Sequence, residues 1–485
     1  MKTKILSEPN LYFNKGEVYH DPKIGLLKYG PHGLNKNGEE SVTIKVGVIG
    51  THKYITKFKA FLQELKSRID GELNKDTGLK EPDFPGLGIE KPLRFDVEIN
   101  PDWIETIDEQ DILSLEQYDR KERVVRALKL YETKLKDLSV ADPKPNLVFI
   151  PLSTQLLELC KEPGLKIDKI KYARRNIVHK ESEIIPLFDF HNALKIVAYR
   201  EGGFTTQIIR PKTLKFEGGQ DSATTAWNFS VSTYYKATDQ PWKLAELDDE
   251  TCYAGVSFFQ DFSLGKTTMR ASMAQVYLRT GESQVIRGDP FKWEGRGRSP
   301  ELTNEQAKKL ILDVIELYKR NKGGRLPKRV VIHKTSPFSE EEISGFNEVL
   351  KDVETVDYVH IMEHSGILAL PKGQNYPAMR RTLIYDENQK GNKDIILFTT
   401  GFVPALNTYM GTGVPIPLLL KTYRLDSTPE IIAQDILALT KLDWNSCDYN
   451  THMPVTISVS KKVGDILAES SAEKVTIGSN YRYYM

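Results

Sequence analysis

The chain reads as an α/β protein built from two successive units, and three observations predict this. Between Val42 and Tyr199, short β-branched runs alternate with amphipathic stretches, the pattern of a parallel sheet covered by helices. From about Glu217 the order changes: strands joined by short turns come first, and helix–strand alternation follows. With 485 residues, 40% of them hydrophobic, the chain can bury more than one core.

Residues 1–40 are rich in turn formers (Pro9, Pro22, Gly25, Gly30, Pro31, Gly33, Gly38) and predict an extended segment lying on a larger body. Val42–Gly50 (VTIKVGVIG) is the first clear strand. A helix is predicted from about Thr56 to Ile69, with Phe58, Phe61, Leu62, Leu65 and Ile69 at helical spacing. The Pro/Gly-rich stretch 81–92 leads to a strand at Leu93–Ile99. A long helix near Leu115–Leu138 and a buried strand at Asn146–Pro151 come next, then a helix and a basic window at 166–180. Ala193–Tyr199 (ALKIVAY) is predicted as a strand, followed directly by a polar turn, Arg200–Gln207. That placement suits ligand binding beyond the carboxyl ends of parallel strands.

The second unit opens with a helix from about Ser222. A meander follows at Cys252–Phe259, Met273–Thr280 and Ser283–Arg287. Helix 304–320 has Thr303 as N-cap and Gln306 at the capping-box position. Strand Arg329–His333, helix 340–351, strand Tyr358–Glu363, a hairpin-like stretch 382–401 and helix Pro429–Leu442 complete it. This is the element order of a ribonuclease H-like fold.

Lysine and arginine number 67 against 66 aspartates and glutamates, a formal charge of +1. Such a chain is not coated for non-specific nucleic-acid binding, although a local basic groove is compatible with it. Three scattered cysteines, Cys160, Cys252 and Cys447, suggest neither a disulfide framework nor a zinc site. The opening MKTKILSEPNLYF has no signal-peptide core, and no run of about 18 apolar residues occurs, so a cytoplasmic protein is expected. The string His360-x-x-Glu363-His364 resembles a zinc-protease motif, but it sits on a predicted strand, which cannot present both histidines on one face.

The stretch 191–242 carries the chemistry. His191, Lys195, Gln207 and Lys236 supply basic and amide donors from adjacent elements, the set that a terminal phosphate needs. Each also has a plainer reading: a satisfied histidine, the solvent face of a half-buried strand, a turn cap, and a helix-end lysine favoured by the dipole.

These residues, with EPNLYFNKGEVYHDPKIGLLKYGP at 8–31, GTGVPIPLLLKTY at 411–423, LTKLDWNSCDYNTHMPVTIS at 439–458 and the tail YRYYM, resemble a short prokaryotic Argonaute. The resemblance implies a Rossmann-like MID domain (41–216) after the leading segment (1–40), then a ribonuclease H-like PIWI domain (217–485). It implies that His191, Lys195, Gln207 and Lys236 hold a guide's 5′-phosphate, with Mg²⁺ bridging the phosphate, Gln207 and the Met485 terminal carboxylate. It also implies partners: a short guide RNA, a single-stranded DNA target, and an APAZ-domain effector protein carrying a TIR or sirtuin NADase or a nuclease, in prokaryotic immunity.

Cutting members of the family clamp two metal ions with carboxylates. Here Ser257, two residues after Gly255, and Thr335, in the turn His333-Lys334-Thr335-Ser336, stand at the first two carboxylate positions. Glu282 falls near a third position, and Asp448 or His452 near the last. Hydroxyls supply no charge for two cations, so no slicing is expected. Two rivals stand beside this reading: an active guide-directed endonuclease whose ligands are Glu282, Asp448 and others, and a ribonuclease H-like protein that binds no guide.

Overall fold

The computed structural model describes the chain apart from residues 38–39, 74–77, 79, 162–188, 218–219, 246–247, 249, 261–267, 277–282, 294–298, 364–365, 370–376, 390, 410, 412 and 471–477. The basic window at 166–180, Glu282 and His364 therefore lie outside the described residues.

The first lobe is a four-stranded parallel sheet. Its strands are β2 (Val42–Gly50), β3 (Phe95–Thr106), β4 (Leu147–Pro151) and β5 (Thr205–Ile209), in the spatial order β3-β2-β4-β5. β4 is buried along its whole length, as an apolar run in a helix-covered sheet should be. The helices are α1 (His52–Leu65), α2 (Arg120–Ser139), α3 (Thr154–Cys160), α4 (Phe190–Gly202) and α5 (Ser222–Ala237). Helix α1 begins four residues before its predicted start, and α2 begins where Asp119 accepts from the Glu122 amide at 3.0 Å.

Helix α5, expected to open the second unit, packs on the first. Its Phe229 meets Phe58, Phe61 and Phe149 with ring centroids 5.1–6.4 Å apart.

The second lobe is a ten-stranded mixed sheet. Strand β1 (Lys2–Ile5) comes from the chain's start. β6 (Thr251–Gln260), β7 (Thr268–Val276) and β8 (Ser283–Arg287) form the expected antiparallel meander. β9 (Arg329–Lys334) and β10 (Thr355–Met362) follow, then β11 (Thr382–Tyr385), β12 (Asp394–Leu397) and β13 (Leu418–Leu425). The order is β1-β11-β12-β13-β10-β9-β6-β7-β8, with Phe291–Lys292 pairing β7. β9 runs parallel to both β6 and β10, so the ribonuclease H-like order is the one observed.

Helices α6 (Asn304–Asn321) and α7 (Glu340–Val349) cover one face; each opens with a capping box, at Thr303/Gln306 and Ser339/Glu342. α8 (Pro429–Leu439) and α9 (Val455–Ser470) follow. α9 lies across β6 so closely that a Cβ on Gly255 would sit 2.0 Å from the Thr456 carbonyl oxygen; only glycine permits that approach.

Residues 1–40 do more than lie on the surface. β1 pairs with β11 in the second lobe, and Leu11–Tyr12 pairs with Val18–Tyr19 and with Lys243–Leu244. Glu8 ties the segment down between Arg380 (3.2 Å) and Lys441 (2.8 Å), both buried. Leu11 and Phe13 are fully buried, and Pro22–Tyr29 is a helix rather than extended chain. The segment thus joins both lobes. No helix among the described residues is long and apolar enough to cross a membrane.

Candidate anion site at the junction of the lobes

The run Ala193–Tyr199, predicted as a strand, is the middle of helix α4. Asp189 caps it by accepting from the His191 amide at 2.9 Å, and Gly203 ends it in the left-handed conformation with φ 66°. Residues 193–198 are all buried, and a run apolar on every side has no periodicity to separate helix from strand. The helical register puts His191 and Lys195 four residues apart on one face. Gln207 is likewise not in a turn. It stands mid-strand on β5, the edge of the first sheet. The crevice beyond the carboxyl ends of β2 and β4 is bridged internally, where the Tyr54 hydroxyl bonds Thr154 Oγ1 at 2.8 Å and accepts from the Thr154 amide at 3.0 Å.

Lys236, in the last turn of α5, is 3% exposed. Its ammonium donates to Gln207 Oε1 at 2.5 Å and to the Thr206 carbonyl at 3.0 Å. Lys195, 8% exposed, has neither a hydrogen bond nor an ion pair among the described residues. Burial, reinforced by Lys462, pulls it down to about 8. Burial followed by Lys195 and Lys462 holds Lys236 well below the ordinary lysine range. Burial, then Lys195, keep His191 neutral, with its pKa at about 3; Lys236 and Arg210 add to the effect. These mutual effects show that His191, Lys195 and Lys236 share one neighbourhood.

Two residues join them that sequence reasoning missed. Lys462 comes from α9 of the second lobe and is partly exposed, 3.8 Å from Asp443; Arg210 follows β5. The pair Lys461-Lys462 was visible, but its helix was not predicted. The tail forms the wall. A 3₁₀ turn at Tyr481–Tyr484 packs on α4, β5 and α9, Tyr483 meets Tyr199 edge-on at 4.8 Å, and Tyr481, Tyr484 and Met485 are buried.

Chemically this is a cluster of buried basic groups. Several cationic groups converge; Asp189 is occupied with capping, and Asp443 lies 3.8 Å from Lys462. Burying ammonium groups without counter-charge is costly, and a bound dianion would repay it with charge-assisted hydrogen bonds. Of the two expected Mg²⁺ ligands, Gln207 Oε1 faces the Lys236 ammonium, and Met485 is buried in the tail.

The pKa of Lys195 makes a testable statement. Its folded value lies below the ordinary 10.5, so the cost is fully present below about pH 8. Between pH 8 and 10.5 the unfolded chain holds a proton that the native chain does not, so stability rises with pH, by an amount on the order of 3 kcal/mol from this group. Urea midpoints of the ligand-free protein across this range should show the rise, and Lys195→Met should reduce it, leaving the part that Lys236 contributes.

At the ribonuclease H-like cleft, Ser257 is buried and donates to the Ser460 carbonyl of α9 at 2.7 Å. Thr335 is exposed just past β9. His333, fully buried, bonds Thr456 Oγ1 at 2.8 Å. Asp448 is exposed and lines an interlobe cavity with Glu72 and Asp221, while His452 lies 3.4 Å from Thr399 Oγ1. His360 is on strand β10, as expected.

No family model and no curated protein matches the sequence. Solved structures do. Clostridium butyricum Argonaute bound to a guide DNA and a 19-mer target DNA aligns over 97% of this chain and 53% of its own, at 16% identity and a TM-score of 0.62. Drosophila Piwi aligns over 100% and 56%, at 11% and 0.61. Marinitoga piezophila Argonaute in complex with a 5′ OH guide RNA aligns over 96% and 59%, at 13% and 0.55. The chain spans a little over half the length of these structures. Its fold is Argonaute-like: a MID-type lobe followed by a ribonuclease H-like PIWI lobe.

Proposed function

We propose that this chain binds the 5′-phosphorylated end of a short guide strand, an RNA, and presents the guide for pairing with single-stranded target DNA. The observation that carries the reading is the pair of buried lysines, Lys195 and Lys236, with Lys462 and Arg210 beside them. A phosphate monoester brings close to two negative charges and three acceptor oxygens to such a hollow. Sequence choice is then left to base pairing, while the protein grips the backbone. Nucleic acid extracted from the purified protein should be short RNA with 5′-phosphates. Its absence, even after expression with a partner, would favour a ribonuclease H-like protein without a guide.

The proposal includes no cutting by this chain. Ser257 and Thr335 bring hydroxyls, not carboxylates, to the positions where paired metals need charge. Asp448 lines the interlobe cavity, and His452 lies beside Thr399. A labelled target incubated with guide-loaded protein and Mg²⁺ or Mn²⁺ should remain intact. A single cut opposite the middle of the guide would overturn this and favour the endonuclease reading. The output then belongs to a partner; the sequence resemblance implies an APAZ-domain effector in prokaryotic defence.

A further inference from the structure

Where residues 1–40 cross the second lobe, a cavity of about 220 Å³ lies between Glu8 and His20 of that segment and Arg380, Arg381, Pro404 and Tyr449 of the lobe. Its charge does not balance. Glu8 is the carboxylate on its wall, and three cations already share it: Arg380 at 3.2 Å, Arg381 at 3.6 Å and Lys441 at 2.8 Å. Asp21, whose charge also reaches His20 and Lys441, caps the helix Pro22–Tyr29 by accepting from the Ile24 amide at 3.1 Å. Three cations thus stand against two carboxylates. Burial pulls Lys441 down to about 8 and Arg380 below its ordinary range, with Glu8 opposing both shifts.

The basic groups differ in what they leave open. Arg380 and Lys441 are buried and fully used: Arg380 donates also to the Thr399 carbonyl and the Thr440 hydroxyl, and Lys441 to the carbonyls of His20 and Tyr449. Arg381 is partly exposed. Its Nη1 donates to the Leu6 carbonyl at 3.0 Å, and its Nη2 has no hydrogen bond among the described residues. His20 is partly exposed too. Its ring stacks on Tyr19 at 4.7 Å and meets Tyr449 edge-on at 6.2 Å, and neither ring nitrogen has a hydrogen bond among the described residues. Arg381 also holds a φ of 76°, a left-handed conformation that is costly for any residue but glycine. Strain of this kind collects where a side chain is held for use. We propose that this cavity is an oxyanion site separate from the hollow at Lys195 and Lys236, and that it takes a single phosphate group with Arg381 and His20 as its donors. The guanidinium fork suits such a group, and the volume is too small for a whole nucleotide. A phosphate here ties the leading segment to the second lobe. Two sources carry that group: free inorganic phosphate, and the backbone of a nucleic-acid strand lying over the segment.

The test uses the full chain carrying Lys195→Ala and Lys236→Ala, so that the other hollow contributes no lysine, with inorganic phosphate titrated at constant ionic strength. Calorimetry should give a Kd of about 1 mM, the affinity so small a ligand supports. Arg381→Gly, which suits the backbone there, and His20→Phe, which keeps a ring on Tyr19, should each weaken binding tenfold or more without unfolding the chain. If the double-lysine background does not fold, the parent decides, with each variant binding one phosphate fewer. A short single strand with a 5′-hydroxyl separates the sources. Weakening by Arg381→Gly to the same degree assigns the site to a strand's backbone, and unchanged strand binding assigns it to the free ion. The proposal falls if phosphate does not bind at about 20 mM, or if either variant binds it as tightly as the background does. The guide reading is untouched by either result, because its lysines are already removed.

Discussion

Replacing Lys195 and Lys236 together by alanine should weaken binding of a 5′-phosphorylated guide by roughly 10²- to 10⁴-fold, taking each lost charge-assisted hydrogen bond as about 1.5–3 kcal/mol. A 5′-hydroxyl guide should be little affected, so the preference for phosphate collapses toward unity. The discriminating measurement is that ratio, because a merely misfolded variant would lose both ligands alike. Lys462→Ala should cost less, since its side chain is 39% exposed and its charge is screened. Gln207→Glu makes the sharper companion. It places a carboxylate 2.5 Å from the Lys236 ammonium, where the amide oxygen now sits. The ligand-free protein should become more stable while phosphate affinity falls, because the chain then supplies its own anion. Opposite signs on stability and affinity are the signature of a site strained for function. If both Lys195/Lys236 and Gln207→Glu variants bind 5′-phosphorylated guide as the parent does, the hollow is not a phosphate site.

Glu342→Ala should be the most damaging single change away from that hollow, costing about 3–5 kcal/mol because it strands a buried charge. Its carboxylate holds Lys334 at 2.6 and 2.7 Å with both side chains almost fully buried. It also accepts from the Leu302 and Ser339 amides at 3.1 and 2.9 Å. Lys334 already lies below the ordinary lysine range through burial, with Glu342 opposing the shift. Glu342→Gln should cost less, because its amide oxygen can still accept one of the two backbone bonds. Lys334→Met with Glu342→Leu should recover much of the loss, as removing both partners of a buried pair often does. Urea unfolding of the three variants beside the parent provides the test. Since this pair anchors the turn that carries Thr335, the 5′-phosphate preference of any folded variant should be unchanged.

Much of the architecture was legible because local signals agreed with the fold. Val42–Gly50 was read to the residue, and the capping box at Thr303 and Gln306 was visible in the letters alone. The failures have physical causes. Helix α4 was read as a strand because burial on every side erased its period; the better clue was Asp189 ahead of it and Gly203 behind. Helix α9 begins Val-Thr-Ile-Ser-Val, residues that favour strands, and tertiary packing over Gly255 overrides them. That miss concealed Lys462. His191, Lys195, Gln207 and Lys236 were singled out together, but for a geometry with Gln207 in a turn rather than on an edge strand. No local pattern could announce that two lysines 41 positions apart would be buried beside one another.

The discomfort of Lys195 and Lys236 also has a consequence for the fate of the molecule in a cell. Whatever occupies the hollow adds its binding free energy to folding, so filled copies outlast empty ones wherever proteases sample the unfolded fraction. Under the proposed function, abundance would follow supply: a chain without a guide is cleared sooner, and a cell making few guides keeps few empty copies.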